Sequence, residues 1–126
     1  MKWIIDYLAG EGIVYAKTSG VLDVESHGKF TEEMVAIARK HGCHKFLTDH
    51  RDTQGHFSIL EVDNMNLPER ITQLGIGPED KIATLPNPDW VKECGFSFFK
   101  NLAQIRSIRF AFFSDKAEAI EWLKSE

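Results

Sequence analysis

Five side chains that could do chemistry lie in one short stretch of this chain, between residues 49 and 56. A histidine next to carboxylates has a proton that can be tuned near neutral pH, so Asp49, His50 and Asp52 could act as an acid–base cluster. No nucleophile with an identifiable partner stands beside them, and the sequence has neither a Gly-x-Ser-x-Gly elbow nor a phosphate-cradling loop. We therefore favour a non-enzymatic role and retain a small hydrolase or transferase using this cluster as the alternative function.

The position of this stretch indicates contact with a ligand or a partner. Residues 45–49 predict an apolar strand, followed by a polar loop that contains Gly55 and by a helix that opens near Ser58. In an open α/β domain, loops at the carboxyl ends of strands are where ligands and partners usually bind. The predicted contact edge over residues 49–58 comprises Asp49, His50, Arg51, Asp52, Thr53 and Ser58. This hypothesis requires exposed loop beyond Asp49, and regular extended chain there would contradict it.

The segment His41-Gly42-Cys43-His44 offers residue types that bind metals. Structural zinc sites use four ligands, commonly supplied as two close pairs. The second pair is missing because Cys94 stands alone in the sequence, although other histidines could be recruited in space. The simpler interpretation is that His41 covers the end of a helix and that Cys43 is a buried free thiol. We predict no metal and no cofactor.

A dense aromatic stretch follows Pro86-Asn87-Pro88 and comprises Trp90, Phe96, Phe98 and Phe99. A helix buries one face, so aromatic side chains at positions 96, 98 and 99 cannot all enter the same core. Large aromatic residues most often pack in the core, and we expect this for most of the group. The remainder would line an apolar ligand groove or a self-association surface, with Trp90, Phe96 and Phe99 as candidate binding residues.

The composition is that of an ordinary globular domain. The chain has 126 residues, of which 43% are apolar and 27% charged, and this balance excludes intrinsic disorder. A formal net charge of -4 without any basic run argues against binding to nucleic acid or anionic lipid. No window approaches the roughly 20 apolar residues of a membrane span, and Asp6 interrupts any apolar signal-peptide core. We predict a single cytoplasmic domain over residues 1–126.

Hydrophobic periodicity predicts a mixed α/β architecture. A hairpin of strands precedes alternating helices and strands, and the last helix begins after Asp115, which has the spacing of a capping box with Glu118. The predicted elements are strands at 3–8 and 13–18, a helix over 23–41 that is well defined only after Gly28, a strand at 45–49, a helix at 58–66, a strand at 81–85, a helix at 90–103, a strand at 107–113 and a final helix. The order β-β-α-β-α-β-α-β-α predicts one five-stranded mixed sheet with helices packed on it.

This order and three short sequence segments resemble the SpoIIAA-like group of STAS-related domains, the sulfate transporter and anti-sigma factor antagonist fold. The segments are Phe46-Leu47-Thr48-Asp49, Lys81-Ile82-Ala83 and, near the end of the sequence, Phe112-Phe113-Ser114-Asp115-Lys116-Ala117-Glu118-Ala119-Ile120-Glu121-Trp122-Leu123. The resemblance spans nearly the whole chain. It implies a small non-enzymatic module used for protein docking or for holding a small or lipid-like ligand.

The resemblance also implies where a regulatory phosphate would be placed. Anti-sigma factor antagonists carry an Asp-Ser-(Ser/Thr)-Gly motif after the third strand, and a kinase phosphorylates its serine. The corresponding segment of this chain is Asp52-Thr53-Gln54-Gly55, which keeps the aspartate and the glycine but has glutamine beside the glycine. Thr53 and Ser58 are the possible phospho-acceptors, and Ser58 would present its phosphate to a helix N-terminus.

We therefore expect a STAS-like binding or regulatory module. It would dock a protein partner or hold a small apolar or lipid-like ligand near the loop after the third strand, with the 90–99 aromatic stretch beside it. A homodimer held by exposed aromatic side chains is a possible further association.

Overall fold

The computed structural model describes residues 1–54, 72–73, 75–89 and 109–125. Five strands and two helices lie entirely within these ranges. The strands are β1 (Lys2–Leu8), β2 (Ile13–Val21), β3 (Lys45–Gln54), β4 (Lys81–Leu85) and β5 (Arg109–Phe112), and the helices are α1 (Val24–Lys40) and α2 (Lys116–Lys124).

The five strands form one mixed sheet in the order β1-β2-β3-β4-β5. β1 and β2 pair antiparallel as a hairpin, and β2, β3, β4 and β5 run parallel to one another. The predicted α/β class with a five-stranded mixed sheet is thus confirmed, as is the strand at Lys81–Leu85. The helices predicted at 58–66 and 90–103 lie outside the described residues.

Successive side chains of a strand point to opposite faces, and the sheet consequently has an apolar layer on each side. On one face, α1 packs through Phe30 against Val14, Phe46 and Ile82. On the other face, the helix α2 contributes Leu123 to a second cluster, whose strand members are Ile13, Leu47, Ala83 and Leu85.

Helix α1 begins earlier than its most regular sequence pattern indicates. The Asp23 carboxylate accepts a hydrogen bond from the Ser26 backbone N–H at 2.7 Å, and this N-cap offsets the cost of about 1 kcal/mol that Gly28 brings to the first turns. The helix ends at Lys40 with His41 as its C-cap, close to the predicted end at residue 41. Gly42 has a φ of 64°, and the Cys43 backbone N–H returns to the Ala38 carbonyl at 2.8 Å.

Helix α2 is fixed at both ends. At its start, the Asp115 carboxylate accepts from the Ala117 backbone N–H at 3.1 Å, as the capping pattern predicts. At its end, Lys81 from the beginning of β4 donates through Nζ to the Trp122 and Ser125 carbonyls, both at 2.8 Å. Terminal carbonyls of a helix lack intrahelical partners, so the buried Lys81 ammonium supplies hydrogen bonds to them and ties α2 to β4.

The third strand is longer than the sequence indicates, and the predicted loop beyond Asp49 is wrong over residues 50–54. The contact edge predicted on an exposed loop is therefore contradicted over these residues, which belong to a strand. β3 continues to Gln54 because β2 also continues to Val21 and offers partners for Asp52, Thr53 and Gln54. Ser19 pairs with Asp52, and Leu22 donates its backbone N–H to the Gln54 carbonyl at 2.8 Å. A composition rich in Asp, His and Arg is poor for strands, but a ladder on one side is enough to hold it extended.

Candidate functional site

A β-bulge distorts β3 at the point where the loop was predicted to begin. Lys17 of β2 pairs with Asp49, but Ser19 pairs with Asp52, so two residues of β3 oppose the single residue between them on β2. The extra residue reverses the alternation of side chains beyond it. As a result, His50 and Thr53 both point to the α1 face, although they are three positions apart.

The bulge brings three buried polar side chains together on the α1 face. The Thr18 hydroxyl lies 2.6 Å from Nδ1 of His50 and in hydrogen-bond contact with the Thr53 hydroxyl. All three residues are buried, and the His50 ring packs edge-on against Phe30 with 5.8 Å between ring centroids. Buried polar groups require partners of this kind, so Thr18 is the hub that satisfies the group.

His50 is a neutral side chain at physiological pH. Burial, and secondarily the nearby His27, lower the pKa of His50 to about 3, and the opposing effect of Asp49 does not compensate. A charged imidazole at this position is strongly disfavoured because burial removes the water that would hydrate the charge. The sequence predicts that His50 could exchange a proton near neutral pH, but the buried His50 binds that proton only in strongly acidic solution.

Asp49 points to the opposite face of the sheet, towards α2. Its carboxylate accepts hydrogen bonds from Nε and Nη2 of Arg51, at 2.9 and 2.8 Å, and from the Tyr15 hydroxyl at 3.1 Å. Burial alone would raise the pKa of Asp49, but the bonds from Arg51 and Tyr15 outweigh it and lower the pKa. Burial and the Asp49 charge in turn raise the pKa of Tyr15. Nζ of Lys116 lies 4.2 Å above the Tyr15 ring.

An exposed charged rim borders these two groups. The Arg51 side chain is exposed while it holds Asp49, and the exposed Asp52 forms an ion pair with Lys17 at 3.3 Å. β4 ends opposite Asp49, so residues 50–54 of β3 extend beyond it. Asn87, after β4, donates from Nδ2 to the Thr53 carbonyl at 2.9 Å and supports this extension. We call Lys17, Arg51, Asp52 and Gln54 the β3 rim.

The structure does not bring the predicted acid–base cluster together. Asp49 and His50 lie on opposite faces of the sheet, and Asp52 is engaged at the surface with Lys17. Thr53 is fully buried, so a kinase could reach its hydroxyl only if β3 opened locally. The remaining candidates, Ser58, Trp90, Phe96 and Phe99, lie outside the described residues.

Three contributors to this site were missed from the sequence, namely Thr18, Tyr15 and Asn87. A signal existed for Thr18, since Val14, Ala16 and Thr18 alternate along β2 and share the buried face. Tyr15 is the neighbour that alternation sends to the other face. No sequence signal identifies the bulge, because an extra residue in a strand leaves no compositional mark at this position.

A second polar cluster lies at the opposite end of the strands, before β4. The buried Asp80 carboxylate accepts from Nη1 and Nη2 of Arg39 at 3.1 and 2.8 Å, from Nδ1 of His44 at 2.9 Å and from the Gly77 backbone N–H at 2.7 Å. His44, Glu79 and Asp80 have potential metal-ligating atoms within 4.8 Å of one another. Arg39 already supplies the positive charge there, and we assign the cluster a structural role.

The segment proposed as a possible metal pair disperses in three directions. His41 stacks on Tyr7 with 4.0 Å between ring centroids, and the Cys43 thiol donates to the Gly12 carbonyl at 3.1 Å. His44 turns to Asp80 instead. Residues 41–44 therefore do not converge on one point.

Comparison with known proteins leaves function to the geometry. No family model matches the chain, and no curated protein sequence is significantly similar to it. Over the parts of the chain that the structure describes, no helix is both long and apolar enough to cross a membrane. The end of β3 is consequently the region from which a function is inferred.

The hub role of Thr18 leads to a first prediction. Thr18→Val keeps the shape of the side chain but leaves His50 and Thr53 with one buried contact fewer, and we expect a loss of about 1–3 kcal/mol in the free energy of unfolding. Urea denaturation measures this loss. The control is Thr31→Val, because Thr31 is also buried but donates to a carbonyl of its own helix, that of His27, at 2.8 Å. Equal losses in the two variants would contradict the hub role.

Proposed function

We propose that this chain is a non-enzymatic binding or regulatory module of the STAS-like type that docks a protein partner on the β3 rim. The observation that carries the proposal is the bulged end of β3, where buried polar groups on both faces support an exposed charged edge. Bulges are over-represented next to functional sites, where they re-aim side chains. The STAS-like assignment is supported by the order of elements and by the mixed five-stranded sheet.

Rigidity is the first reason to favour docking at this edge. Binding sites on strands are held more accurately than sites on loops. Arg51 is fixed by two hydrogen bonds to Asp49, which Tyr15 orients in turn. A rim that is ordered before binding loses less conformational entropy when a partner arrives.

Charge is the second reason. The β3 rim carries two cationic side chains, Lys17 and Arg51, and the anionic Asp52, which pairs with Lys17. Such an arrangement suits a protein surface of complementary pattern, and rim charges of this kind set specificity and association rate.

The same contacts argue against catalysis. A general base must be available to accept a proton from a substrate. The Asp49 carboxylate is occupied by Arg51 and Tyr15, and His50 is enclosed under α1 with Phe30. The alternative hydrolase or transferase would need one of these groups at the surface.

A charge-reversal capture experiment tests the proposal. Tagged wild-type protein, Asp52→Arg and the control Glu25→Arg are used as baits in lysate from the native host, and retained proteins are quantified by mass spectrometry. The control is matched because Glu25 also forms an exposed ion pair with a lysine, Lys29, at 3.5 Å, but lies on α1. We expect a protein retained by wild type and by Glu25→Arg to fall about tenfold on Asp52→Arg, equivalent to about 1.4 kcal/mol.

The purified partner then gives the direct measurement. Titration calorimetry should reproduce the loss of affinity for Asp52→Arg and wild-type affinity for Glu25→Arg. If Asp52→Arg retains the same proteins in the same amounts as wild type, docking on the β3 rim is wrong.

A further inference from the structure

Strand β1 has an exposed face, and no strand among the described residues pairs with its outer edge. Among the described strands it is the outermost on its side of the sheet, with β2 as its partner. Its side chains alternate, with Lys2, Ile4 and Asp6 exposed and Trp3 and Ile5 half-buried under α1. Ile4 is 69% exposed, a high value for a large apolar side chain in the middle of a strand. Unpaired edges of this kind pair readily with another strand.

The sequence of β1 is complementary to itself when read in the opposite direction. In an antiparallel pair centred on Ile4, Ile4 lies opposite Ile4 of the second copy. Lys2 then lies opposite Asp6, and Asp6 opposite Lys2, so each cross-strand pair joins opposite charges. On the other face, Trp3 lies opposite Ile5, which extends the apolar layer beneath α1.

We propose that a second copy of this chain pairs with β1 in this register, so that two five-stranded sheets join into one continuous sheet about a twofold axis at Ile4. The interface is isologous, as in most homodimers. The second copy pairs with the outer side of β1, whereas three members of the β3 rim, Arg51, Asp52 and Gln54, lie on β3 beyond β2. The fourth member, Lys17, lies on β2 opposite Ile4. The dimer would therefore present two rims for partner binding.

Neighbouring registers are poorer for reasons of charge and face. Centring the pair on Ile5 places Asp6 opposite Ile4, and centring it on Trp3 places Lys2 opposite Ile4. Registers shifted by a single residue would place the apolar Trp3 and Ile5 of one copy level with the exposed face of the other. Within the described ranges the structure shows no ion pair for Lys2 or Asp6, so both charges can serve the second copy.

A charge-swap series tests the proposed register. Wild-type protein, Lys2→Glu, Asp6→Lys and the double variant carrying both changes are compared by sedimentation equilibrium at increasing concentration. Each single change places like charges opposite each other twice in the dimer, and we expect the dissociation constant to rise at least about tenfold. The double variant exchanges the two charges and should return to within about threefold of wild type.

Both side chains are exposed, so the variants are expected to fold, and near-ultraviolet circular dichroism verifies this. A wild-type protein that stays monomeric up to the millimolar range would overturn the proposal. So would a double variant that dimerises no better than the single variants, because the two charges would then not face each other.

Disulfide trapping tests the centre of the pair independently. Residues directly opposite in an antiparallel pair have Cβ atoms about 4.5–5.5 Å apart, close enough for a disulfide after a small adjustment. Ile4→Cys should therefore form a covalent dimer on mild oxidation. Wild type controls for the native cysteines, and Val21→Cys for chance collisions, since Val21 is 62% exposed on β2. Equal cross-linking of Ile4→Cys and Val21→Cys would contradict the register.

Discussion

Asp80→Ala is expected to lower the free energy of unfolding by about 3 kcal/mol, the largest loss that we predict for a single polar side chain. The carboxylate is fully buried and holds Arg39 through two hydrogen bonds, with His44 and Gly77 completing its contacts. Arg39 keeps about a third of its side chain exposed, so its charge regains some water after the substitution. This partial solvation places the loss at the low end of values for broken buried ion pairs.

Urea denaturation at neutral pH measures the loss. The control is Asp52→Ala, which breaks an exposed ion pair with Lys17 and should cost less than about 1 kcal/mol. If Asp52→Ala and Asp80→Ala lowered the free energy of unfolding by the same amount, the Asp80 cluster would not hold α1 to the start of β4.

Acid should abolish the advantage of wild type over Asp80→Ala. Burial alone would raise the pKa of Asp80, but hydrogen bonds from Arg39, Gly77 and His44 outweigh burial and lower it below 3.8. A carboxyl group with a lowered folded-state pKa stabilises the protein above its unfolded-state pKa and loses that effect as the pH falls through its folded-state value. The two unfolding free energies should therefore differ fully above about pH 5 and converge only below pH 3.8.

His50 should make the domain sensitive to a different range of pH. The unfolded chain binds a proton at this histidine below its ordinary pKa of 6.5, whereas the folded chain does so only below about 3. Unfolding is thus favoured increasingly as the pH falls through this interval. Between pH 7.5 and pH 4 we expect wild type to lose about 3 kcal/mol more than His50→Asn, which keeps a polar group near Nδ1 but does not titrate.

Denaturation curves at a series of pH values check this slope. His41→Asn is the control, because it removes an exposed histidine that stacks on Tyr7 and leaves His50 buried, so the slope that depends on His50 should remain. Parallel slopes for wild type and His50→Asn would show that His50 is not held neutral by burial. Wild type and His50→Asn both keep Asp80, so the Asp80 contribution, which begins to fall below about pH 5, cancels in the difference between them.

The architecture was accessible from the sequence because its signals are local. The hairpin follows from two β-rich runs around residues 9–12, the strand Lys81–Leu85 from an apolar run between turns, and the start of α2 from Asp115. Each depends on a few neighbouring residues. The tie between Lys81 and the end of α2 could not be anticipated, since it joins residues more than 40 positions apart.

The site was accessible only in part. The sequence drew attention to residues 49–54, because charged and histidine side chains following an apolar strand are unusual. It assigned them to a loop, since local propensity disfavours a strand there. The ladder with β2 overrides that propensity, and whether β2 would extend that far depends on tertiary pairing. The separation of Asp49 from His50 onto opposite faces follows from the strand and could not be seen from a loop.

The additional residue divides β3 into two parts in which the side chains alternate between the faces of the sheet in opposite order. Before it, odd-numbered positions face α2 and even-numbered positions face α1, and after it the assignment is inverted. A homologue lacking that residue could keep the same amino acids and yet turn its threonine outward and its charged neighbours inward. In this fold, the length of the third strand, as much as its composition, would then separate chains that share the proposed role from those that do not.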